Sequence, residues 1–350
     1  MARDRFLKLL LLSVSSLVVL GLLEIACRLL QIGSPNPHQT EEVGLLTADP
    51  DPMISYRLTS GFEGLVYGSF VQINSRGLRE LESFGYERHE GVLRILCLGD
   101  SVVFGYGVAR EKAFPAVIAE LLATVNPGNR FEVINAGIPG YNTVQEVRFL
   151  EVEGSRYQPD LVLLFFVIND PEGTRVLDTE GHLLPVPEDI WLRLFRRYGS
   201  LSPPDTVFHS YNAVRRALMP LTARHRRMVE EAVEYYTNEI FQNPGWNACQ
   251  QALARLRQWR DDSDTSVVPI ILPMLTDFDH HPYVATYERF ADACSEAGLA
   301  PVDAWPALQS YDADSLRLHP LDGHPGVYGH RVIAELVARE LGRQLGTVMK

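Results

Sequence analysis

Residues 161–168 read L-V-L-L-F-F-V-I, a continuous apolar run that passes directly into Asn169-Asp170. Such a run reads as a strand buried on both faces, and strands of that kind belong to parallel sheets covered by helices. From Val92 onward the chain keeps the matching rhythm. A strand over 93–98 precedes a helix over 112–125, where Phe114, Val117, Ile118, Leu121 and Leu122 fall at helical spacing and Asn126-Pro127-Gly128 supplies the stop. A strand over 131–135 and a helix over 143–156 follow, then the 161–168 run. After an interval the pattern resumes with a strand over 267–275, a helix over 283–297, a short strand near 300–302 and a last helix over 327–345. The pattern predicts an α/β domain with 161–168 at the centre of its sheet. The interval, 172–264, shows no evident strand. Apolar spacing over 191–198, 228–241 and 246–259, with Pro203-Pro204 between the first two, predicts a helical insertion too long for an ordinary crossover.

The first 30 residues differ in kind. Arg3, Arg5 and Lys8 precede an apolar run over 9–23 that resumes after Glu24. As a helix, 9–30 would span about 33 Å, enough for a hydrocarbon core of about 30 Å. Glu24 and Arg28 stand four apart on one face, an ion pair suited to the far interface. No small-x-small site follows the run, and Glu24-Ile25-Ala26-Cys27 fits a lipoprotein cleavage site poorly, which favours an uncleaved anchor over a signal peptide. The basic residues before the run put the N-terminus in the cytoplasm and everything after about residue 31 outside it. Residues 33–47, polar and proline-bearing, read as a stalk.

A net charge of −12 argues against a nucleic-acid partner, whose affinity is built from clustered Lys and Arg. One basic cluster interrupts the acidic balance: Arg215, Arg216, Arg224, His225, Arg226 and Arg227. It reads first as a solvated helix face, with a role against an anionic glycan, a lipid headgroup or a protein partner left open. The four cysteines, Cys27, Cys97, Cys249 and Cys294, have no metal-ligand spacing. Cys27 and Cys97 read as small hydrophobes, and pairing of Cys249 with Cys294 is open but not argued by spacing.

Residues 54–79 alternate short apolar segments with Gly61, Gly64, Gly68 and Gly77 and close on Asn74-Ser75-Arg76-Gly77-Leu78-Arg79. They read as an accessory β-hairpin beside the main sheet.

In open parallel sheets ligands bind at the carboxyl ends of the strands. Those ends carry Gly99-Asp100-Ser101, then Asn135-Ala136-Gly137-Ile138-Pro139-Gly140-Tyr141-Asn142, then Asn169-Asp170, while Asp322-Gly323-His324-Pro325-Gly326, preceded by Leu321, stands just before the last helix. A serine hydroxyl is a weak nucleophile at neutral pH, needing a base, which in turn needs a group to fix its tautomer. Ser101, His324 and Asp322 supply those parts, and the Ser101 amide, the Gly140 amide and the Asn169 side chain are the available oxyanion donors. His319 and His330 flank this set, His330 with a packing or capping role on the last helix. Asp277-Phe278-Asp279-His280-His281 follows a strand and has a metal-like look, but adjacent loop histidines seldom converge on one ion, and contact with the substrate rim is the stronger expectation.

On these residues the chain resembles the SGNH (GDSL-type) hydrolase superfamily of esterases, lipases and carbohydrate deacetylases. Gly99-Asp100-Ser101 with Gly105 is similar to the first block of that family, 135–140 to the second, Asn169-Asp170 to the third, and Asp322 with His324 to the last. The lead-in ending at Arg79 is similar to one found in bacterial, often membrane-anchored members. Two positions depart from the family pattern: Val167 stands where glycine usually precedes the asparagine, and Asp322-Gly323-His324 is one residue shorter than Asp-x-x-His. The shorter spacing resembles alginate-type O-acetyltransferases.

The resemblance implies a three-layer α/β/α sandwich with a parallel, flavodoxin-like sheet, catalysis by Ser101, His324 and Asp322, an oxyanion hole of Ser101, Gly140 and Asn169, and no metal or organic cofactor. The expected organisation is an anchor over 1–32, a linker over 33–47, a lead-in over 48–91 and a hydrolase domain over 92–350 with its insertion at 172–264. The expected function is hydrolysis of an O-acyl ester on a carbohydrate or lipid, outside the cytoplasm. The alternatives are acyl transfer to a polysaccharide and a non-catalytic binding domain that docks a protein partner through its insertion.

Overall fold

The computed structural model describes residues 2–30, 44–80, 85–125, 128–186, 190–198, 209–219, 222–319 and 322–348. Most of the expected stalk, the stop at Asn126-Pro127, the Pro203-Pro204 pair and Leu321 lie outside them. Contacts divide the chain into two units, Met1–Pro37 with Trp191–Ala232, and His38–Ile190 with Val233–Lys350.

The first unit holds α1 (Ala2–Leu29), whose window Leu10–Leu29 is long and apolar enough to cross a membrane. It also holds most of α5 (Ile190–Tyr198), α6 (His209–Leu218) and the start of α7 (Ala223–Thr237). The Glu24–Arg28 ion pair forms at 2.8 Å.

The second unit opens with two small antiparallel pairs: β1 (Leu46–Ala48) with β2 (Tyr56–Leu58), and β3 (Glu63–Val66) with β4 (Ser69–Gln72). One hairpin was expected. The second pair turns through Tyr67 and Gly68, both at positive φ, and a tyrosine in that conformation carries no turn signal in the sequence.

The main sheet contains β5 (Val92–Gly99), β6 (Arg130–Gly137), β7 (Leu161–Phe166), β10 (Ser266–Ile271) and β11 (Val302–Asp303), all parallel, in the spatial order β11-β10-β7-β5-β6. The chain enters at β5, steps to one edge, then reverses to β7 at the centre, which is the flavodoxin-like order with its switch point between β5 and β7. Successive strand residues face opposite layers. Leu96, Leu98, Ile134, Ala136, Val162 and Leu164 share one core with α4 (Thr143–Val152), α8 (Pro244–Ser263) and α9 (Val284–Glu296). Ile95, Cys97, Val133, Leu161, Leu163 and Phe165 share the other with α3 (Phe114–Val125) and α12 (Val327–Val348). This is the α/β/α sandwich.

Two details differ from the sequence reading. The 172–264 interval contains a hairpin, β8 (Val176–Leu177) with β9 (Leu183–Leu184), too short to leave an apolar alternation. Helix α8, read within the insertion, buries Ala252, Leu253 and Leu256 in the sheet core, so it serves as the crossover between β7 and β10. The short helices α2 (Ser101–Phe104), α10 (Trp305–Leu308) and α11 (Ala313–Leu316) and the antiparallel pair β12 (Arg317–His319) with β13 (Asp322–Pro325) complete the unit.

Candidate active site

Ser101 opens α2 immediately beyond β5. A Cβ at Gly99 would lie 2.1 Å from Val103 Cγ2, and one at Gly137 would lie 2.2 Å from the Phe104 nitrogen, so glycine at both positions lets α2 fold down onto two strand ends. Asp100 caps α2: its Oδ1 accepts from Val102 N at 2.8 Å. At the other end Gly105, at φ +86°, donates to Ser101 O. The carbonyls left over there are taken by a buried arginine. Arg79 donates to Phe104 O (2.9 Å), Gly105 O (2.6 Å) and Val108 O (2.7 Å), with its guanidinium 4.6 Å from the Phe104 ring centroid. Burial, with Arg110 nearby, pushes the Arg79 pKa down to about 10, which leaves it charged at neutral pH. The lead-in is therefore not merely packed beside the sheet, because its last residue grips the turn that carries the serine.

The imidazole arrives on β13. His324 Nε2 lies 2.9 Å from Ser101 Oγ, and His324 Nδ1 lies 2.6 Å from Asp322 Oδ1, which also accepts from the His324 backbone N–H at 3.0 Å. A carboxylate only accepts, so Nδ1 carries the proton and Nε2 is left to receive one from the serine. Gly323 has open space around it, and the one-residue-shorter spacing still converges both side chains. The His324 ring stacks on Tyr106 at 4.0 Å and 15°, and Tyr106 stacks in turn on Tyr67 at 4.0 Å. The serine and histidine are half-buried, with 29% of the His324 side chain exposed against 11% for Asp322.

Asn169 and Gly140 lie on the loops that flank β5. The Asn169 side chain hydrogen-bonds Asp100, whose Oδ2 also lies 3.3 Å from Ser101 Oγ. Burial raises the Asp100 carboxyl above its usual range, opposed by the Val102 amide, His324, Ser101 and Asn169. Gly140 sits at φ +75° on a loop tied to the nucleophile strand by Ile138 N to Gly99 O at 3.0 Å. Tyr56 holds that loop by donating to Pro139 O at 3.0 Å, and Leu183 of the β8–β9 hairpin closes over it. Val167 packs into the core with Phe165.

Beneath the site, Asp170 is buried and accepts from Thr143 Oγ1 at 3.1 Å, with Glu146 buried beside it. Among the described residues neither Glu146 oxygen has a hydrogen-bond partner. Burial raises both carboxyls well above their usual range, with Asp170 and Asp100 adding to the rise at Glu146 and Asp100 and Glu172 adding to it at Asp170.

The remaining histidines resolve differently. His330 is a cap: its Nδ1 accepts from Phe114 N at 3.2 Å at the start of α3, and burial lowers its pKa to about 3. His319 pairs with Asp322 in β12–β13. In 277–281, His281 Nδ1 bonds Thr276 O (2.9 Å) and its Nε2 the Tyr287 hydroxyl (2.8 Å), with the ring stacked on Trp305 at 4.4 Å. Among the described residues no group of three or more His, Cys, Asp or Glu is placed to hold a metal ion. Cys249 and Cys294 are both buried free thiols.

Sequence reading missed Arg79, Tyr106 and Asp100 as members of the site. Asp100 was quoted only within its motif, and nothing in G-Y-G says that the tyrosine meets a histidine more than two hundred residues away.

Known proteins supply an independent comparison. No curated protein matches the chain. Among solved structures it is similar to a lipase/acylhydrolase from Enterococcus faecalis, at 16% identity over 72% of this chain and 96% of that one, TM-score 0.39. An acetylxylan esterase from Geobacillus stearothermophilus aligns at 18% identity over 71% and 94%, TM-score 0.42. A two-domain esterase active on acetylated mannans aligns at 16% identity over 72% of this chain and 50% of that one, TM-score 0.42. Residues 97–332, from the end of β5 into α12, match the model of the GDSL-like lipase/acylhydrolase family. That span contains every strand of the sheet beyond the start of β5, and the chain belongs to this family of ester-hydrolysing enzymes.

Proposed function

We propose that this protein is a membrane-anchored serine esterase that acts outside the cytoplasm on an O-acyl group carried by a carbohydrate or lipid. The observation that carries the reading is the unbroken relay from Ser101 Oγ to His324 Nε2 (2.9 Å) and from His324 Nδ1 to Asp322 Oδ1 (2.6 Å). In this mechanism Ser101 Oγ attacks the acyl carbon and its proton passes to His324 Nε2. The carbonyl π electrons move to oxygen, where the Ser101 and Gly140 amides and the Asn169 side chain donate to the oxyanion. Collapse expels the alcohol oxygen, which takes the proton from His324. A water, deprotonated by the same nitrogen, then attacks the acyl-enzyme and releases the acid, and Ser101 regains its proton. Asp322 keeps the imidazole in the tautomer that makes each transfer possible. Tyr106, stacked on the ring, limits its rotation.

The anchor reading rests on α1, whose 20-residue apolar window exposes nearly all of its side chains. Orientation follows from the basic residues that precede it.

A panel of chromogenic esters of increasing acyl length tests the reading and sizes the pocket. Turnover of at least one ester by the wild type, with covalent labelling by a fluorophosphonate that Ser101→Ala abolishes, is the expected result. A folded protein that neither labels nor turns over any ester would leave a binding domain. Adding oligosaccharide to the same assay and weighing it by mass spectrometry separates hydrolysis from transfer, which uses the same acyl-enzyme.

A further inference from the structure

The segment Trp191–Ala232 carries eight arginines against three acidic residues, in a chain that overall has 32 basic and 44 acidic residues. It forms one unit with the apolar helix α1. The link between them is specific. Glu24, within the apolar window, accepts from the backbone N–H and the hydroxyl of Ser210 at 2.9 and 2.7 Å, at the start of α6, and its other oxygen takes Arg28 Nε at 2.8 Å. Cys27, one turn from Glu24, is buried.

Along α6, Val214 and Leu218 stand four apart and are 54% and 55% exposed. Arg193, Arg196 and Arg197 of α5 and Arg224, Arg226 and Arg227 of α7 are exposed as well. Water alone gives no reason for an exposed apolar pair. A helix fastened to the last turns of a membrane span, with apolar side chains on one side and exposed arginines on the other helices of its unit, has the composition of an element lying in the headgroup layer.

We propose that α5, α6 and the start of α7 form a membrane-interface collar, in which α6, docked on α1 through Glu24 and Ser210, sets Val214 and Leu218 at the headgroup–acyl boundary while Arg193 and Arg196 of α5 and Arg224, Arg226 and Arg227 of α7 contact the phosphates of anionic phospholipid. The inference rests on the reading of α1 as a membrane span. These arginines lie far along the chain from α1, beyond the range over which charge sets orientation.

The test uses the full chain, whose four native cysteines are buried. Single Val214→Cys, Leu218→Cys, Leu17→Cys and Glu180→Cys variants carry a nitroxide and are reconstituted into phosphatidylcholine vesicles with or without phosphatidylglycerol. Collisions with oxygen and with a water-soluble nickel complex report depth. Labels at 214 and 218 should favour oxygen over nickel several-fold relative to the one at 180 when phosphatidylglycerol is present. That ratio should fall severalfold in high salt, in its absence, or with Arg224, Arg226 and Arg227 all changed to Glu. Nickel access at 214 and 218 equal to that at 180 in every lipid would overturn the collar. So would labels immobilised and shielded from both reagents, which would mean that a protein surface covers them. The label at 17 separates the two readings: water access there defeats the anchor and the collar together, whereas hydrocarbon depth at 17 with water access at 214 defeats the collar alone.

Discussion

The two halves of the proposed Ser101–His324–Asp322 relay are held by different means. Ser101 sits on a turn locked from below by buried contacts: glycines at 99 and 137 that admit α2 against the strands, the Asp100 cap, and the Arg79 guanidinium on three carbonyls. His324 and Asp322 ride on a four-residue strand paired only with β12, and the imidazole is steadied by its carboxylate and by one face of Tyr106. The serine half is therefore fixed by the same interactions that fold the domain. The base half is fixed by a few contacts near the surface, so function there should be separable from stability.

Ser101→Ala gives the largest expected effect, a loss on the order of 10⁴-fold or more in kcat with no loss of thermal stability. Asp322→Asn comes next. The amide can donate to Nδ1 and so favours the wrong tautomer, for a fall of about 10² to 10⁴-fold in kcat with an unchanged melting curve. In the buried turn beneath the serine the pattern should invert. Arg79→Met removes the side-chain donor from the Gly105 and Val108 carbonyls and one of two from Phe104 O, and should cost about 3 kcal/mol in denaturant unfolding, activity falling with the folded fraction. If instead Arg79→Met lost activity at full stability, the contrast between the halves would collapse.

Tyr106→Ala should lower kcat/KM roughly 10-fold through a less constrained ring, while Tyr106→Phe, which keeps the stack, should stay near wild type. The smallest effect concerns Glu146. Its folded pKa is raised by burial, so the stability it permits is whole below the ordinary carboxylate range and is lost as pH rises toward the folded value. Glu146→Gln cannot ionise and should gain on the order of 1 kcal/mol, a few degrees in Tm, at about pH 8. The gain should shrink toward zero near about pH 4, and a gain that grew in acid would contradict a neutral buried acid.

What the sequence disclosed follows the same division. Strand β7 was legible because burial on both faces leaves an uninterrupted apolar run, β5, β6 and β10 because they share the strand–helix rhythm around it, and the turns bearing Ser101 and Asn169 because each follows such a strand, while His324 stands just before the last helix. Arg79 was visible only as the end of a lead-in motif, since an arginine in sequence gives no sign that it will be buried against carbonyls 25 to 29 residues on. Tyr106 was hidden for the opposite reason, as an ordinary half-buried aromatic whose partner arrives from the far end of the chain. The short β8–β9 hairpin over Gly140 was missed because two-residue strands have no period to detect.

The contact between Glu24 and Ser210 joins residues 186 positions apart. Helix α1 is complete long before Ser210 has been synthesised, so the bond from Glu24 to α6 forms late in the chain's production, whereas its pairing with Arg28, one turn away, is local. Biogenesis thus has an order: the helix forms first, and its fastening through Glu24 awaits the delivery of α6.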